Sequence, residues 1–498
     1  MQSLKKIPFF LLLLVVFFCL HGSLENYGFV ELREIVILGL VIIACIGIGW
    51  VLVWLLTRNW LMSALICFFI ALWYLFFGAI YDWLQTSTLF HFLHRYQVLI
   101  PALIVLTVGW ILFLHKKRSK HSTLSMYLNL LLLLYCGIDG FLLINKRVQP
   151  VSKVQSAAVA FDQSKVTQKP NVYYLLFDEY AGYQSLKDSF GFANDSLYHF
   201  LDKKGFRQLP GGSNYDFTLF SMSSIFNMQY IDTAGITGTT LQNDLQMRTN
   251  EIRYGSVFGL FESMGYHIEN YSIFDIGNRH SVSDKNDFLP VHSRLLTDKI
   301  LHNRIIRTSG WLFKTGKFAL PAWKKNYLYQ HDATNIFSEK MVKQTAADKS
   351  SVPTFCYAHF IIPHGPFYRD STGRYNSDAS IADEATLTNK AAYLSYLKYG
   401  NRVIESLVEN ITTQDPQAII VLMSDHGFRP YKNPARFIPF CFDNICAVRF
   451  PNNNYGAADE QHSAVNFFRY LFNQQFGQQF PYLPDRMSIV YDRNVEVK

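Results

Sequence analysis

The chain has 498 residues, half of them hydrophobic and only 17% charged, with 46 Lys and Arg against 38 Asp and Glu for a formal net charge of +8. That length allows two or three domains, and the composition is too apolar for an ordinary soluble protein of this size. The positive balance forms no concentrated basic, aromatic-interleaved patch in the C-terminal part, so nucleic acid is not an expected partner.

The apolar residues concentrate in residues 1–145. Crossing the hydrocarbon layer of about 30 Å takes roughly 20 residues of helix. Five stretches meet that need: 8–23, 35–56, 60–81, 97–115 and 124–144. The first follows Lys5 and Lys6 and could instead be a signal peptide, but no small-x-small cleavage site follows it, so it is read as retained. Lys5–Lys6 and the run HKKRSKH (115–121) share one face of the bilayer, while the loop LENYGFVELRE (24–34) on the other is acidic. Basic loops stay in the cytoplasm, so the N-terminus is inside and, after an odd number of crossings, the remainder lies outside; Lys146 and Arg147 argue weakly the other way. Asp139, within the fifth stretch, is read as reaching interfacial water through its flanking glycines. Cys19, Cys45, Cys67 and Cys136 read as packing residues. Of the later cysteines, Cys356, Cys441 and Cys446, the last two could be bridged, although both flanks read as strand.

Residues 146–170 are polar and weakly periodic and read as a tether. From 171 to 498 the pattern is that of a globular domain outside the cytoplasm. Three apolar runs read as buried strands, each ending in polar residues: NVYYLLFDEY before Asp178 and Glu179, TFCYAHFIIPHGPF with His359 and His364 at its end, and QAIIVLMSDHGF before Asp425 and His426. Between the last two, Tyr393, Leu397, Gly400, Ile404, Leu407 and Ile411 recur at helical spacing. Continuous apolar strands alternating with helices predict an α/β domain with a mostly parallel sheet covered by helices.

In such sheets ligands bind beyond the carboxyl ends of the strands. Asp178, His359 or His364, and the Asp425–His426 pair all fall at such ends, and the architecture would bring them to one rim. Asp and His with one hydroxyl suit a divalent cation, Zn²⁺ or Mn²⁺, with the carboxylates leaning towards Mn²⁺ or Mg²⁺. A bound dication lowers the pKa of a coordinated hydroxyl and shields an anionic substrate.

Taken together, NVYYLLFDEY, YDFTLFSMSSIFN, HFIIPHGPF, VLMSDHG and HSAVNFFRYLFN resemble the membrane-anchored sulfatase-like branch of the alkaline phosphatase superfamily, which includes lipoteichoic acid synthases and phosphoethanolamine transferases. The resemblance implies a five-helix membrane bundle ahead of an alkaline-phosphatase-like domain. It implies one metal held by Asp178, Thr218, Asp425 and His426, with Glu179 as a further ligand candidate. Thr218 resembles the threonine that also becomes covalently phosphorylated, and His359 and His364 resemble histidines that contact phosphate or protonate the leaving group, His364 being favoured. Ser221, Ser223 and Ser224 then read as packing hydroxyls, and Thr218 as a residue near a helix start, where an anion is favoured; serving as an N-cap is its other reading. The implied activity is transfer of a phospho-head-group from a phospholipid donor to an envelope glycolipid or polysaccharide; hydrolysis at the same site and a non-catalytic scaffold are the alternatives. Three departures matter. The C/S-x-P-x-R context of sulfatases is absent around TLFSMSSIF, the first ligand is Asp rather than Glu, and the tail lacks the dense cysteines of many phosphoethanolamine transferases.

Overall fold

The computed structural model describes residues 7–27, 30–148, 161–232, 241–282, 293–309, 328–429, 438–456 and 463–490. The chain divides into two compact units: residues 1–152 with 286–313, and residues 153–285 with 314–498. A segment just past the midpoint of the chain thus groups with the N-terminal helices.

The first unit is built from α1 (Phe10–Glu25), α2 (Leu32–Thr57), α3 (Trp60–Leu75), α4 (Phe77–Thr86), α5 (Tyr96–Lys116) and α6 (His121–Val148). The expected count of five spans is corrected here. Among the described residues three helices are each long and apolar enough to cross a membrane, and α3 with α4 passes only as a pair bent by 54°. The break falls at Phe76, whose ψ of 16° leaves the helical region. α1 has 16 residues, about 24 Å at 1.5 Å per residue, which is short of the hydrocarbon layer.

α1 and α6 run parallel. Asn129 Nδ2 donates to the Ile7 carbonyl at 3.0 Å, Cys136 Sγ lies 3.5 Å from the Leu13 carbonyl, and Lys146 Nζ donates to the Leu24 carbonyl at 3.1 Å. Lys146 therefore sits where it satisfies a carbonyl in the last turn of α1, a site that favours a cation. Asp139 does not reach interfacial water: it is buried, with Oδ2 3.0 Å from His21 Nδ1 of α1. A charge in an apolar setting keeps a partner because leaving it alone is costly.

Residues 293–309 pack on these helices. Leu296 and Ile300 are buried in the same apolar cluster as Phe18, Leu38 and Leu65. Two glycines make room: a Cβ on Gly22 would lie 2.6 Å from Leu296 Cγ, and one on Gly78 would lie 2.8 Å from Lys299 Cα. The Gly78 amide, just past the α3–α4 break, donates to the Lys299 carbonyl at 2.7 Å.

In the second unit the described strands are β1 (Val172–Phe177), β2 (Phe206–Gln208), β3 (His267–Tyr271), β4 (Thr354–Phe360), β5 (Ile419–Met423) and β6 (Cys446–Arg449), in the order β2-β6-β5-β1-β4-β3. β1 pairs in parallel with β4 and β5, and β3 with β4; β6 and β2 add an antiparallel edge, so the sheet is mixed. Side chains alternate across a strand. Tyr173, Leu175 and Phe177 of β1 enter one core, and Val172, Tyr174 and Leu176 enter the other. That two-sided burial is why the strands read as unbroken apolar runs.

The helices covering the second core include α7 (Thr218–Asn227) and α10 (Phe467–Gln475), and those covering the first include α8 (Gln330–Ala347) and α9 (Lys390–Gln414). All six positions expected to face the core in α9 are buried. Asn389 caps α9, its side chain accepting from Ala391 N and Ala392 N. No disulfide joins Cys441 and Cys446, and Cys356 is a buried thiol in β4.

Candidate active site

β1, β4 and β5 are adjacent and parallel, so their carboxyl ends open onto one rim. The chain leaves β1 through Glu179, whose φ of 61° is a left-handed conformation that a non-glycine residue adopts only at a cost of order 1 kcal/mol or more. That turn aims two amides at the end of β5. Glu179 N donates to Asp425 Oδ1 at 3.1 Å, and Tyr180 N donates to Ser424 Oγ at 2.9 Å. The two strand ends are stitched together before any ligand is considered.

Asp178, Asp425 and His426 each point one ligand atom into a common space, with those atoms within 4.8 Å of one another. His426 Nε2 lies 3.2 Å from Asp425 Oδ2 and 3.8 Å from Asp178 Oδ1. Both oxygens are buried and have no hydrogen-bond partner among the described residues. His426 Nδ1 lies 2.8 Å from the Gly427 carbonyl, which can only accept, so in the neutral ring Nδ1 carries the hydrogen and Nε2 is a lone pair. One imidazole lone pair and two carboxylate oxygens thus face each other out of water. With His426 neutral, that arrangement is repulsive unless a cation sits among the three groups, because buried polar groups carry a penalty of several kcal/mol when unmatched. Two carboxylates and an imidazole fit a divalent ion of the Zn²⁺ or Mn²⁺ type.

Thr218 supplies the fourth group, its Oγ1 3.4 Å from His426 Nε2. It is the first residue of α7. The cap position belongs to Phe217, without a side-chain cap bond, so the Thr218 hydroxyl is not spent on capping. The serines behind it are occupied: Ser221 donates to the Tyr215 carbonyl at 2.9 Å, Ser223 to Glu251 and Ser224 to the Gln229 carbonyl at 2.7 Å. The half-buried Thr218 remains open to a substrate, at a helix end whose amides favour an anion.

The remaining candidates lie around this group. His359 is fully buried behind Asp178, with Nε2 3.4 Å from Asp178 Oδ2 and Nδ1 3.2 Å from the Tyr357 hydroxyl. It holds the carboxylate rather than facing the opening. Glu179 turns aside: Oε1 accepts from Arg429 N at 3.1 Å, and Oε2 lies 3.8 Å from His364 Nε2. Arg429 closes this second group, 3.4 Å from His364 Nε2. Burial works against a charged Asp178, but His364, His359 and His426 outweigh it and hold its carboxyl well below the usual range. Burial likewise works against protonated His364, yet Asp178 and Glu179 raise its pKa overall.

Three residues of the site are absent from the sequence reading. Ser424 ties Tyr180 N to the His426 carbonyl, to which its hydroxyl donates at 2.8 Å. Arg429, a lone cation three residues after His426, was the available signal for the second group. His331, near the start of α8, feels both His364 and Asp178; burial and then His364 keep its pKa below the ordinary value.

Gly427 admits no side chain: a Cβ there would lie 2.1 Å from the Phe440 carbonyl oxygen and 2.4 Å from that of Asp443. Backbone cannot yield as a flexible side chain does, so Gly427→Ala is expected to cost about 2–3 kcal/mol, read as a lowered melting temperature.

A family model described as Sulfatase matches residues 193–478, more than half of the chain. The chain belongs to the sulfatase family. The matched span contains Thr218, His359, His364, Asp425 and His426, and begins after Asp178. As a sulfatase-family member it is an enzyme of the alkaline phosphatase superfamily. Among curated proteins no relative matches the chain. Several solved structures are similar to this sulfatase-family chain. The C-terminal periplasmic domain of EptC from Escherichia coli, in complex with zinc, is 12% identical with a TM-score of 0.40, over 68% of this chain and 90% of that one. The C-terminal periplasmic domain of the phosphoethanolamine transferase EptC from Campylobacter jejuni is 13% identical with a TM-score of 0.35, over 65% and 98%. The phosphonate monoester hydrolase SpPMH from Silicibacter pomeroyi is 16% identical with a TM-score of 0.38, over 64% and 76%.

Proposed function

We propose that this protein is a membrane-bound, metal-dependent phosphotransferase that moves a phospho-head-group from a phospholipid to an envelope glycolipid or polysaccharide through a phosphothreonine at Thr218. The observation that carries the reading is the uncapped hydroxyl of Thr218, 3.4 Å from His426 Nε2 and beside two buried carboxylate oxygens that lack hydrogen-bond partners. Asp178, Asp425, His426 and Thr218 would hold one divalent cation, Mn²⁺ or Zn²⁺ with Mg²⁺ as a third choice. When bound it lowers the pKa of the Thr218 hydroxyl and offsets the charge of the phosphoryl group.

In the first displacement Thr218 Oγ1 bonds to phosphorus, the hydroxyl proton passes to water, and the bond from phosphorus to the lipid oxygen breaks. The departing lipid oxygen takes a proton from His364, which is partly exposed and poised over Glu179. In the second, the acceptor hydroxyl returns a proton to His364 and bonds to phosphorus, and Thr218 leaves and is reprotonated by water. Arg429, on the far side of His364, keeps the histidine and Glu179 in register. The α7 amides favour the anionic group throughout.

The sidedness of the membrane supports the same reading. Residues 293–309 touch Gly22 at the end of α1, Gly78 and Asp82 in α4, and Tyr96 at the start of α5. Those ends must share one membrane face, opposite the basic run 115–121, so this segment and the catalytic unit belong outside the cytoplasm.

The test is direct. The purified full chain, incubated with a phospholipid and Mn²⁺ and digested, is expected to yield a Thr218 peptide heavier by the phospho-head-group. Turnover with an unmodified Thr218 peptide under single-turnover conditions would overturn the proposal.

A further inference from the structure

The helix Leu241–Arg253 packs beside α7, and against the two lies a cavity of about 300 Å³ whose walls include Ser223, Gln229, Tyr230, Ile231, Arg248 and Glu251. That volume is at the lower end of the range for small-molecule sites. The cavity shares no residue with the group formed by Asp178, Thr218, Asp425 and His426, although Ser223 belongs to the helix that Thr218 begins.

Arg248 and Glu251 lie one helical turn apart and pair, Nη1 to Oε2, at 2.7 Å. Pairs at this spacing usually stand in water, but here the two side chains are only 7% and 12% exposed, with the guanidinium 5.8 Å from the centre of the Phe220 ring. The Ser223 hydroxyl donates to the same Oε2. Oε1 accepts no hydrogen bond among the described residues, and the buried Arg248 Nε has no partner among them. Gln229 is bonded through its backbone, its N donating to the Ser224 carbonyl at 3.2 Å, and its side-chain amide makes no hydrogen bond among the described residues. An ion pair is thus held out of bulk water with part of its hydrogen-bonding capacity unspent, which is costly unless a further group uses it. The frame around it is fixed. Asn227 Nδ2 donates to the Glu251 carbonyl at 3.0 Å, the Tyr230 hydroxyl donates to the Pro484 carbonyl at 2.8 Å, and the Arg486 guanidinium lies 4.0 Å from the centre of the Tyr230 ring.

We propose that this cavity binds a neutral sugar ring, with Glu251 Oε1 accepting from one hydroxyl, Arg248 Nη2 and the Gln229 amide donating to others, and Tyr230 and Ile231 against its carbon skeleton. A hydroxyl both donates and accepts, so neighbouring hydroxyls match a guanidinium set beside a carboxylate. The charge of Arg248 is met by Glu251, and the third ionisable wall residue is the acid Asp232, so the wall offers no surplus of positive charge to an anion. The inference concerns binding and does not rest on the chemistry proposed at Thr218.

The full chain in a sugar-free detergent is examined by saturation-transfer NMR with the methyl glycosides of glucose, galactose and mannose, and with methyl glucuronide as an anionic counterpart. At least one neutral glycoside is expected to bind, and methyl glucuronide to bind about fivefold more weakly than the best of them. Glu251→Gln is expected to weaken binding about tenfold and Gln229→Ala about threefold. Gln229→Ala removes a side chain with no hydrogen bond among the described residues, so it carries the test even where Glu251→Gln fails to fold. Thr218→Ala is expected to bind the sugar as wild type does, which separates this site from the catalytic group. No binding of a neutral glycoside, equal or tighter binding of the glucuronide, undiminished binding in either cavity variant, or a loss in Thr218→Ala would each overturn the proposal.

Discussion

Replacing Thr218 by alanine is expected to lower turnover by roughly 10³-fold or more while leaving the fold unchanged. The magnitude follows from its role, because without the hydroxyl no covalent intermediate forms and only oriented binding remains. The neutrality towards folding follows from its contacts: Thr218 neither caps α7 nor is fully buried, and among the described residues its side chain hydrogen-bonds to His426 alone. Thr218→Ser keeps an alcohol at the same place and is expected to retain most of the lost rate. Turnover numbers with melting temperatures on the same preparations decide the matter. Undiminished turnover in Thr218→Ala would end the phosphothreonine account.

Chelation is expected to abolish activity and to lower the melting temperature, and Asp425→Asn to behave in a way that separates a metal site from a merely structural cluster. A ligand that binds only the folded state adds about 2.7 kcal/mol when present at a hundred times its Kd. Without a cation, Asp425 Oδ2 and Asp178 Oδ1 remain buried together. An asparagine at 425 can keep its oxygen on the Glu179 amide and turn its NH₂ towards Asp178 and His426. Metal-free Asp425→Asn should therefore melt at least as high as metal-free wild type. With metal added the order reverses, because only wild type gains. If added Mn²⁺ or Zn²⁺ raises the melting temperature of neither protein, the cluster is not a metal site.

Much of the catalytic unit is legible in the chain because its signals are local. Asp178, His359 and the Asp425–His426 pair sit directly at the ends of apolar runs, and strand direction alone carries those ends to one rim. The six core positions of α9 repeat within a single helix. What escapes depends on partners far away. Asp139 looks solvated from its neighbours, yet its partner His21 is 118 residues earlier. Residues 60–81 read as one span, since nothing in their hydropathy marks the break at Phe76, where the Gly78 amide turns to a carbonyl more than 200 residues later. β2 and the edge it forms with β6 are only three and four residues long, too brief for a periodicity to register. Glu179 follows Asp178 and invites the same role, but one left-handed residue sends the two side chains to different places.

The seating of Leu296 and Lys299 against Gly22 and Gly78 also bears on biogenesis. α6 ends at Val148, so the ribosome adds some 145 further residues before this segment emerges, a delay of roughly 7–30 s at ordinary elongation rates. During that interval the Gly22 and Gly78 notches stand unfilled and Asp82 is without Lys299 and Arg304, the cations that pair with it in the finished fold. A nascent chain stalled before residue 293 would lack Leu296 and Ile300 and leave this part of the helical core open.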